Sequence, residues 1–574
     1  MSARQTNMSL MNLRTPGKKT ILLAFAAATV FNCVVLVYFH NRFWWPPDEG
    51  AYAHTAERIL HGEILNSDVQ EIHTGYLNFL HAAAFALAGE KLVSLRYPLI
   101  FVALIQSCLI FLLFSKRNLS VAVVVSISSI SMGVVQYLNP QPSWYCLFLV
   151  TLIAYCLTKP SKNYRLVLVG CIVGLVFLFR QVTGVFLAMG VLTYLLTEED
   201  ELQSGRLFVS RFLLSLMIVG TAGYLLSTTD AIGVLLFGIW PILILILAIS
   251  YTKSSDQRAL KIIFELGIGG VAAALPILIY HVAHGSLHNF FDDTVMRALH
   301  VSRFPYLKEA SYLTFQSYGL EKVLALGSFA TVVNGVYWIA LPLTPLMMGI
   351  GTLREFRLKH TSASVGAIPM LAVFYALVAL LQQIPIYLYY VLPFTVAGLL
   401  WLCLPKRTLV RVLTAIAILF STISLYYHAA QPISRGGDGI VRGDRIQLIQ
   451  AKSLDRCGLW IDAASLGIYA DLVQTIKEQS QPAETIFVIP NDPELYFLAD
   501  RRNPFKFWNS AIGIVDSEEA EAALWIIRSN PPRLIIIAPK DRNNTPNSEI
   551  VTAYVRQTYR HIKTVSNFEI YRWS

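Results

Sequence analysis

The sequence predicts a polytopic α-helical membrane protein with about 13 transmembrane helices, followed by a water-soluble C-terminal α/β domain. Of its 574 residues, 55% are hydrophobic and 14% are charged, whereas an ordinary soluble domain has about 25% charged residues. The mean hydropathy of +0.53 also indicates that lipid is the main solvent of the chain. Long apolar runs fill most of the sequence, and they give way to short alternating segments only near its end.

Three parts are predicted along the chain. Residues 1–19 form a cytoplasmic N-terminus, residues 20–430 form the transmembrane domain with a first external loop at 41–74, and residues 431–574 form a soluble extracytoplasmic domain. The first apolar run, Thr20 to His40, follows basic residues and is long enough to cross the bilayer, so we expect an uncleaved anchor. The apolar run from Gly75 to Gly89 is short for a crossing and is predicted to lie in or near the interface.

Basic residues set the predicted orientation. They gather in short loops at 116–117, 159–165, 253–261, 354–359 and 406–411, and placing these loops in the cytoplasm gives one consistent topology. The formal net charge of +10 therefore needs no nucleic-acid partner, since the chain has no basic stripe with interleaved aromatic residues. The seven cysteines form no disulfide framework and no zinc spacing, and with the short loops this favours a bacterial inner membrane.

The C-terminal part shows the patterning of an α/β domain. Short β-branched runs alternate with amphipathic stretches, which predict helices at 469–478, 517–528 and 549–559 and strands at 485–490 and 533–538. This part carries no glycine-rich phosphate loop and no paired catalytic motif. We expect it to cover the active site or to help bind the acceptor; a purely structural cap is the alternative.

The first external loop is the part of the sequence that points most directly to chemistry. It carries six acidic and two basic residues, a net charge of −4. After Pro47, apolar residues recur at helical spacing until Gly62, so Asp48 is predicted at the head of an interfacial helix. In the alternative interpretation, Asp48 is only an N-cap, worth about 1 kcal/mol, and Glu49 is a favourable first-turn acid.

Three features occur together here: the sequence Pro47-Asp-Glu-Gly-Ala-Tyr52, the apolar run that ends at Gly89, and Arg96 at the start of the next span. This combination resembles the GT-C glycosyltransferases. It is most similar to the branch that contains protein O-mannosyltransferases and the bacterial lipid A aminoarabinose transferase. The resemblance implies a GT-C fold and transfer of a sugar from a polyprenyl-phosphate donor to a lipid, glycan or protein acceptor outside the cytoplasm, with inversion of the anomeric centre. Asp48 matches the family aspartate and is assigned as general base, with Glu49 second.

A cationic group should face the departing phosphate. Arg180 is the leading candidate, because it resembles the position where related transferases put a lysine before a glycine, and an arginine can clamp phosphate bidentately. An arginine that snorkels to the interface is the alternative. Glu71 and His73 fall where the aminoarabinose branch has a glutamate and a lysine, so Glu71 is predicted as a metal contact and His73 as a phosphate contact; a solvated loop is the alternative.

Further donor-phosphate contacts are predicted at His300 and Arg303, in the loop after about residue 281, and at Tyr390, in a tyrosine-then-proline pattern that opens a late span. A solvated loop helix and an aromatic belt are the respective alternatives. The turn 139–143 falls where many GT-C enzymes carry a second acidic residue, and this chain has none there. A divalent metal ion is therefore the one candidate cofactor, and no other cofactor is expected.

Two other classes of protein have the same general composition. A transporter or lipid flippase has many spans and occasional intramembrane charges, but it often consists of two related halves, and no internal repeat is evident here. A non-catalytic assembly protein with a GT-C fold would also fit the missing second acid. The predicted partners are the lipid bilayer, the polyprenyl-phosphate donor and the acceptor.

Overall fold

The computed structural model describes residues 17–159, 164–198, 205–301, 304, 310–327, 329–429, 433–435 and 441–573. The part before residue 430 is helical. Its α-helices are α1 Lys18–Phe39, α2 Pro46–Leu60, α3 Tyr76–Ala88, α4 Arg96–Ser115, α5 Leu119–Ser131, α6 Pro142–Leu157, α7 Arg165–Phe179, α8 Gln181–Leu196, α9 Phe208–Thr228, α10 Ala231–Gly233, α11 Ile239–Tyr251, α12 Asp256–Ala283, α13 Leu287–Phe291, α14 Ala298–Val301, α15 Tyr312–Leu324, α16 Phe329–Lys359, α17 Ser362–Val365, α18 Ala367–Tyr375, α19 Pro385–Cys403 and α20 Arg407–Ala429.

Nine helices in the described ranges are long and apolar enough to cross a membrane, and five shorter apolar helices accompany them. The predicted class, a polytopic helical membrane protein with a C-terminal α/β domain, is confirmed. The predicted number of about 13 crossings exceeds these nine by four, and it stays a prediction. The shorter helices α6, α7 and α8 have 15 or 16 residues and reach about 22–24 Å, less than the hydrocarbon thickness of about 30 Å.

Several predicted element boundaries agree with the structure. Helix α2 ends at Leu60, and Gly62 follows with φ +94°, a left-handed conformation that glycine adopts without strain. Helix α3 occupies the predicted run and lies between Gly75 and Gly89. Helices α7 and α8 are separated only by Arg180, whose backbone is extended, so the predicted break in this apolar stretch is present.

The C-terminal part mixes strands and helices, and all five elements predicted there are present. Its strands are β1 Ile433–Arg435, β2 Val441–Arg445, β3 Leu448–Gln450, β4 Trp460–Asp462, β5 Ile486–Ile489, β6 Leu534–Ile537, β7 Arg560–Val565 and β8 Phe568–Arg572. Its helices are α21 Ala463–Gln479, α22 Glu494–Ala499, α23 Ser510–Gly513, α24 Ser517–Ser529 and α25 Pro546–Thr558. The main sheet has the order β5-β6-β8-β7, with β5 and β6 parallel and the other pairs antiparallel.

The first loop lies between the membrane helices and the C-terminal domain. Alternate residues of β5 and β6 face one side of the sheet, where they share a hydrophobic core with residues of α2 and α3; the other side packs on α24 and α25. The backbone of Gln70 donates a hydrogen bond to the Lys506 carbonyl oxygen at 2.9 Å. The Arg456 guanidinium pairs with Glu57 and Glu90, each at 2.6 Å. The loop is therefore held in one position by both parts of the protein.

Candidate active site

Asp48 lies in the first turn of α2, with its side chain directed away from its own helix terminus. Helix α2 begins at Pro46, and the N-cap residue is Trp45, which makes no side-chain capping bond. One carboxylate oxygen of Asp48, Oδ2, accepts hydrogen bonds from the Tyr137 hydroxyl at 2.6 Å, the Gln141 amide at 2.8 Å and the Asn139 amide at 3.1 Å. The interpretation of Asp48 as an N-cap is therefore wrong, since its partners are side chains of a distant segment.

The turn between α5 and α6 supplies these three donors. Tyr137 ends a short 3₁₀ segment, and Asn139 and Gln141 alternate with Pro140 and Pro142, the second of which opens α6. The two prolines restrict the backbone of the turn and so fix the two amides beside Asp48. Two carboxamides that alternate with prolines between apolar helices are visible in the sequence, and this pattern could have indicated a polar turn at the site.

The environment of Asp48 makes it a stronger base than an ordinary aspartate. Desolvation by the surrounding protein raises the pKa of Asp48, while the three hydrogen bonds and the charge of Arg542 oppose this rise. All three donors are neutral, so they hold the carboxylate in place without fully offsetting its desolvation. A carboxylate with a raised pKa is better suited to accept a proton near neutral pH.

Arg180 lies at the break between α7 and α8, and its side chain stays inside the protein. The guanidinium donates a hydrogen bond to the Ser143 hydroxyl and another, at 2.9 Å, to the Tyr387 hydroxyl, and it lies 4.9 Å from the centre of the Tyr387 ring. Ser143 belongs to the first turn of α6, immediately after the turn that contacts Asp48. Arg180 is thus bonded to protein groups at the site rather than extended toward the interface.

Aromatic rings connect the Asp48 region with the Arg180 region. The buried Tyr390 packs against Trp144, Tyr387 and Tyr137, with ring centroids 4.7, 5.8 and 6.3 Å away, respectively. The Tyr390 hydroxyl has no hydrogen-bond partner among the residues that the structure describes. A buried donor of this kind is costly unless it is paired, so it is available to a bound ligand.

Tyr52 marks the middle of the site. Its hydroxyl is influenced by the charges of Asp48, Glu71 and Arg180 together, and its ring packs edge-on against His81 at 5.3 Å. Three predicted site residues therefore lie around Tyr52. They are Asp48 and Glu71 of the first loop and Arg180 at the α7–α8 break. Tyr52 belongs to the sequence pattern that resembles the GT-C glycosyltransferases, but that pattern alone predicts no role for it.

His73 and Glu71 lie beside this group. Burial, together with the charge of Arg180, lowers the pKa of His73 to about 4, so the imidazole is neutral at pH 7. His73 is hydrogen-bonded to the side chain of Gln181. A neutral imidazole can still donate a hydrogen bond to phosphate, and the assignment of His73 stays a prediction.

Both carboxylate oxygens of Glu71 are engaged by hydrogen-bond donors. Its two carboxylate oxygens accept hydrogen bonds from the backbone of His73, at 2.9 Å, and from the Asn78 side chain. Oδ2 of Asp48 is likewise occupied by three donors. In the described parts of the chain, no three His, Cys, Asp or Glu side chains meet in a group that could hold a metal ion. Glu71 thus orders the end of the first loop, and its assignment as a metal contact stays a prediction.

The last two predicted phosphate contacts are His300 and Arg303. Arg303 lies outside the described residues. The ring of His300 packs edge-on against Phe304 at 5.5 Å, and Phe304 clusters with residues of the C-terminal domain. The assignments of both residues stay predictions.

Glu49 has a different environment from its neighbour Asp48. It is fully buried and pairs with the fully buried Arg96, with the atoms 2.7 Å apart. The same guanidinium donates to the backbone carbonyl oxygens of His40, Arg42 and Phe43 at 2.8–3.1 Å. The pair therefore fixes the chain between α1 and α2, which supports a role for Glu49 in orienting the helix that carries Asp48.

We expect Glu49→Gln to destabilise the protein, because it leaves the Arg96 charge without its ionic partner in the interior. Breaking a buried ion pair costs about 3–5 kcal/mol, so the thermal midpoint in detergent should fall clearly. Glu63→Gln is the matched control, since its pair with Arg58 leaves the Glu63 side chain 41% exposed and such pairs contribute about 0–1 kcal/mol. Equal midpoints for the two variants would contradict the structural role.

A long apolar groove begins beside the polar residues of the site. It has a volume of about 630 Å³ and lies between α7, α8 and α12. Its polar end is formed by Thr74, Gln181 and Thr294, and Gln181 donates hydrogen bonds to the backbone of Ile72 and Thr294 at 2.9 and 3.3 Å. The groove therefore starts one residue from Arg180 and next to His73.

Glycines of α7 and α12 are among the residues that line this groove. Lining residues of α12 extend from Ile263 to Leu278, which at 1.5 Å per residue is about 22 Å along the helix. A Cβ on Gly174 would lie 2.9 Å from the backbone of Gly270, so α7 and α12 approach closely there, whereas a Cβ on Gly267 would meet no atom within 4 Å. The groove is almost entirely apolar apart from its end near Arg180.

No family model and no curated protein matches the chain. Solved structures match along most of its length. ArnT from Cupriavidus metallidurans bound to undecaprenyl phosphate is 12% identical with a TM-score of 0.39, covering 97% of this chain and 98% of that chain; its apo state is 13% identical with a TM-score of 0.41, covering 96% and 97%. The Archaeoglobus fulgidus oligosaccharyltransferase in complex with Zn and sulfate is 12% identical with a TM-score of 0.42, covering 90% and 68%.

Proposed function

We propose that this protein is a membrane glycosyltransferase that moves a sugar from a polyprenyl-phosphate donor to an extracytoplasmic acceptor. One observation carries the proposal: a carboxylate positioned by three neutral donors, an arginine at a helix break and an apolar groove about 22 Å long adjoin one another. The resemblance of the first loop to the GT-C glycosyltransferases supports the same reaction. The basic loops favour an active site on the extracytoplasmic face of a bacterial inner membrane.

In the proposed reaction, an acceptor hydroxyl attacks the anomeric carbon as the bond from that carbon to the phosphate oxygen breaks. Asp48 accepts the proton of the hydroxyl, and the polyprenyl phosphate leaves with the bonding electron pair. Attack opposite the leaving group inverts the anomeric centre. Arg180 stabilises the charge that develops on the phosphate, assisted by hydrogen bonds from His73 and Tyr390.

The groove suits the lipid part of the donor. Its wall is apolar, its volume lies within the range of about 300–1,000 Å³ that is typical of ligand sites, and its polar end adjoins Arg180 and His73. A lipid phosphate whose head binds at Arg180 can therefore place its first isoprene units in the groove that α7, α8 and α12 line.

We expect Gly267→Leu to weaken donor binding, because the added side chain would occupy the groove without colliding with the protein. A loss of about tenfold in affinity for polyprenyl phosphate is expected, since a leucine displaces several methylene-sized contacts worth about 0.8 kcal/mol each. Gly220→Leu is the matched control: Gly220 is also helical and exposed, and a Cβ there meets no atom within 4 Å, but it does not line the groove. Equal affinities in a fluorescent-lipid competition assay would exclude the groove as the lipid site.

We expect transfer to survive removal of divalent ions, because the carboxylates at the site are engaged by hydrogen-bond donors. After EDTA treatment and gel filtration, turnover should stay within about twofold of the untreated protein, since hard cations need several free oxygen ligands. A loss of activity that returns on addition of Mg²⁺, Mn²⁺ or Zn²⁺ would contradict this expectation.

The proposal is tested by incubating the purified protein in nanodiscs with polyprenyl-phosphate sugars and measuring release of free polyprenyl phosphate by mass spectrometry. We expect time-dependent release in the presence of an extract that contains the acceptor. Movement of the intact donor across vesicle membranes without release would favour a flippase. If no donor is cleaved and no donor is moved across the membrane, a non-catalytic assembly protein is favoured.

A further inference from the structure

The C-terminal domain presents one edge of its sheet to helix α2. Strands β5 and β6 are parallel neighbours, so their carboxyl ends lie at the same edge, which is where open α/β sheets bind ligands. The segment after β5 contributes Asn491, Asp492 and Glu494, and the segment after β6 contributes Asp541. We call these four residues the carboxyl edge.

The carboxyl edge has buried acceptor atoms that lack donors. Within the described residues, no hydrogen-bond partner is found for Oδ1 of Asn491, Oδ2 of Asp492 or Oε2 of Glu494. Asp492 is 6% exposed and Glu494 is fully buried. Burial of an unpaired polar atom is costly, and three such acceptors in one segment indicate that a ligand supplies the donors.

This edge adjoins the general base. A Cβ on Gly50 would lie 2.4 Å from the backbone nitrogen of Glu494, so α2 and the start of α22 are in direct contact two residues after Asp48. The charge of Asp48 acts on Glu494, and the charge of Arg542 acts on Asp48. An acceptor held at the carboxyl edge would therefore reach Asp48 from the side of the C-terminal domain.

An aromatic pair completes this surface. The Tyr469 hydroxyl donates to Glu494 at 2.7 Å, and its ring packs on Trp44 with centroids 4.6 Å apart. The indole nitrogen of Trp44 is buried and has no acceptor among the described residues. The surface thus offers several unpaired acceptors and one unpaired donor, and a ligand with many hydroxyl groups can satisfy both kinds.

The charge of the edge favours a neutral ligand over a cationic one. Lys540 and Arg542 are exposed in the segment that also carries Asp541. Burial raises the pKa values of Asp492 and Glu494, and the charge of Asp541 adds to this rise, so the two carboxyl groups gain protons readily. A protonated carboxyl group both donates and accepts hydrogen bonds, as recognition of hydroxyl groups requires.

We infer that the carboxyl edge is the acceptor subsite and that the acceptor is a saccharide, recognised through its hydroxyl groups next to Asp48. This inference rests on the proposed glycosyltransferase function, and it makes the acceptor a glycan or the glycan part of a lipid. The C-terminal domain then binds the acceptor instead of serving only as a cap.

The test is saturation-transfer NMR on the full-length protein in nanodiscs with a panel of mannose-, galactose- and glucosamine-based oligosaccharides. We expect at least one member to bind, and Asp492→Asn and Glu494→Gln each to weaken that binding by about tenfold, near the upper end of what one hydrogen bond contributes. Asp455→Asn and Glu518→Gln are the matched controls, since both acids are exposed in the same domain and should leave binding unchanged.

The outcomes separate this inference from the proposed function. The edge variants should bind polyprenyl phosphate like the wild type and keep or raise the thermal midpoint, because they replace desolvated carboxyl groups with amides of the same shape. Three outcomes would each overturn this inference but not the proposed function. They are normal binding of polyprenyl phosphate with no oligosaccharide bound, equal losses of oligosaccharide binding in the control variants, and preferred binding of spermidine. Loss of polyprenyl phosphate binding by the wild-type protein would instead count against the proposed function.

Discussion

Asp48→Asn should fold normally and lose about 10²-fold or more in turnover, the usual contribution of a positioned general base. An asparagine Oδ1 can accept the same hydrogen bonds from Tyr137, Asn139 and Gln141, so the geometry of the site is retained. The substitution also removes a desolvated charge, and the thermal midpoint should therefore stay unchanged or rise. Only the ability to accept a proton is lost, and release of polyprenyl phosphate from the donor measures this loss directly.

The pH dependence supplies an independent readout of the same role. Because desolvation raises the pKa of Asp48, the wild-type rate should fall as the pH drops through a value above that of an ordinary aspartate, where the carboxylate becomes protonated. Asp455→Asn, an exposed acid of the C-terminal domain, should keep this profile. A near wild-type rate for Asp48→Asn would contradict its role, and the base would then have to be sought among Glu49, Asp68 and Glu71.

The sequence was sufficient to predict elements whose signal is local. Helix α2 could be predicted because apolar residues recur at helical spacing between Pro47 and Gly62, and both boundaries are set by backbone preferences of those residues. Strands β5 and β6 could be predicted because they are buried on both faces and are therefore continuously apolar. The break at Arg180 was visible as a charge within an apolar stretch, which is rare and usually functional.

The partners of these elements could not be predicted in the same way. Tyr137, Asn139 and Gln141 are about 90 positions from Asp48 in the sequence, and neutral amides leave no charge pattern that would link them to a carboxylate. Glu49 and Asp48 are adjacent and chemically alike, yet one pairs with Arg96 and the other faces the site. The two side chains have different partners because they lie on different sides of α2, one facing α4 and the other facing the turn before α6. Tertiary packing decides which side chain faces which neighbour.

The number of crossings shows a third limit of the same kind. Length and composition identify helices that can span the bilayer alone, but α6, α7 and α8 are short and lie among other helices, so their burial depends on their neighbours. A sequence pattern does not separate a short crossing from a buried helix that ends within the membrane. The carboxyl edge could not be predicted for a related reason, because its residues belong to two segments that only the parallel pairing of β5 and β6 brings together.

Arg180→Ala should reduce kcat/KM for the donor by about 10²–10³-fold, the effect of removing one preorganised donor that faces developing negative charge. Arg180→Lys should retain part of the activity, since a lysine keeps the positive charge. A lysine lacks the planar guanidinium, which can bond to Ser143 and Tyr387 and still offer another donor to phosphate. Affinity for polyprenyl phosphate, measured by lipid competition, should fall in the same order. Arg211→Ala, which removes an exposed arginine at the start of α9, should leave both quantities unchanged.

Tyr387→Phe separates a phosphate contact from a purely structural role of Arg180. The substitution removes the hydroxyl that accepts from the guanidinium at 2.9 Å but keeps the ring beneath it and leaves the positive charge in place. If Arg180 serves mainly to hold α6, α7 and α19 together, Tyr387→Phe and Arg180→Ala should lower the thermal midpoint and the activity in parallel. If Arg180 stabilises the leaving phosphate, only Arg180→Ala should cause the large loss in kcat/KM, because the remaining guanidinium in Tyr387→Phe gains a free donor that can turn toward the phosphate.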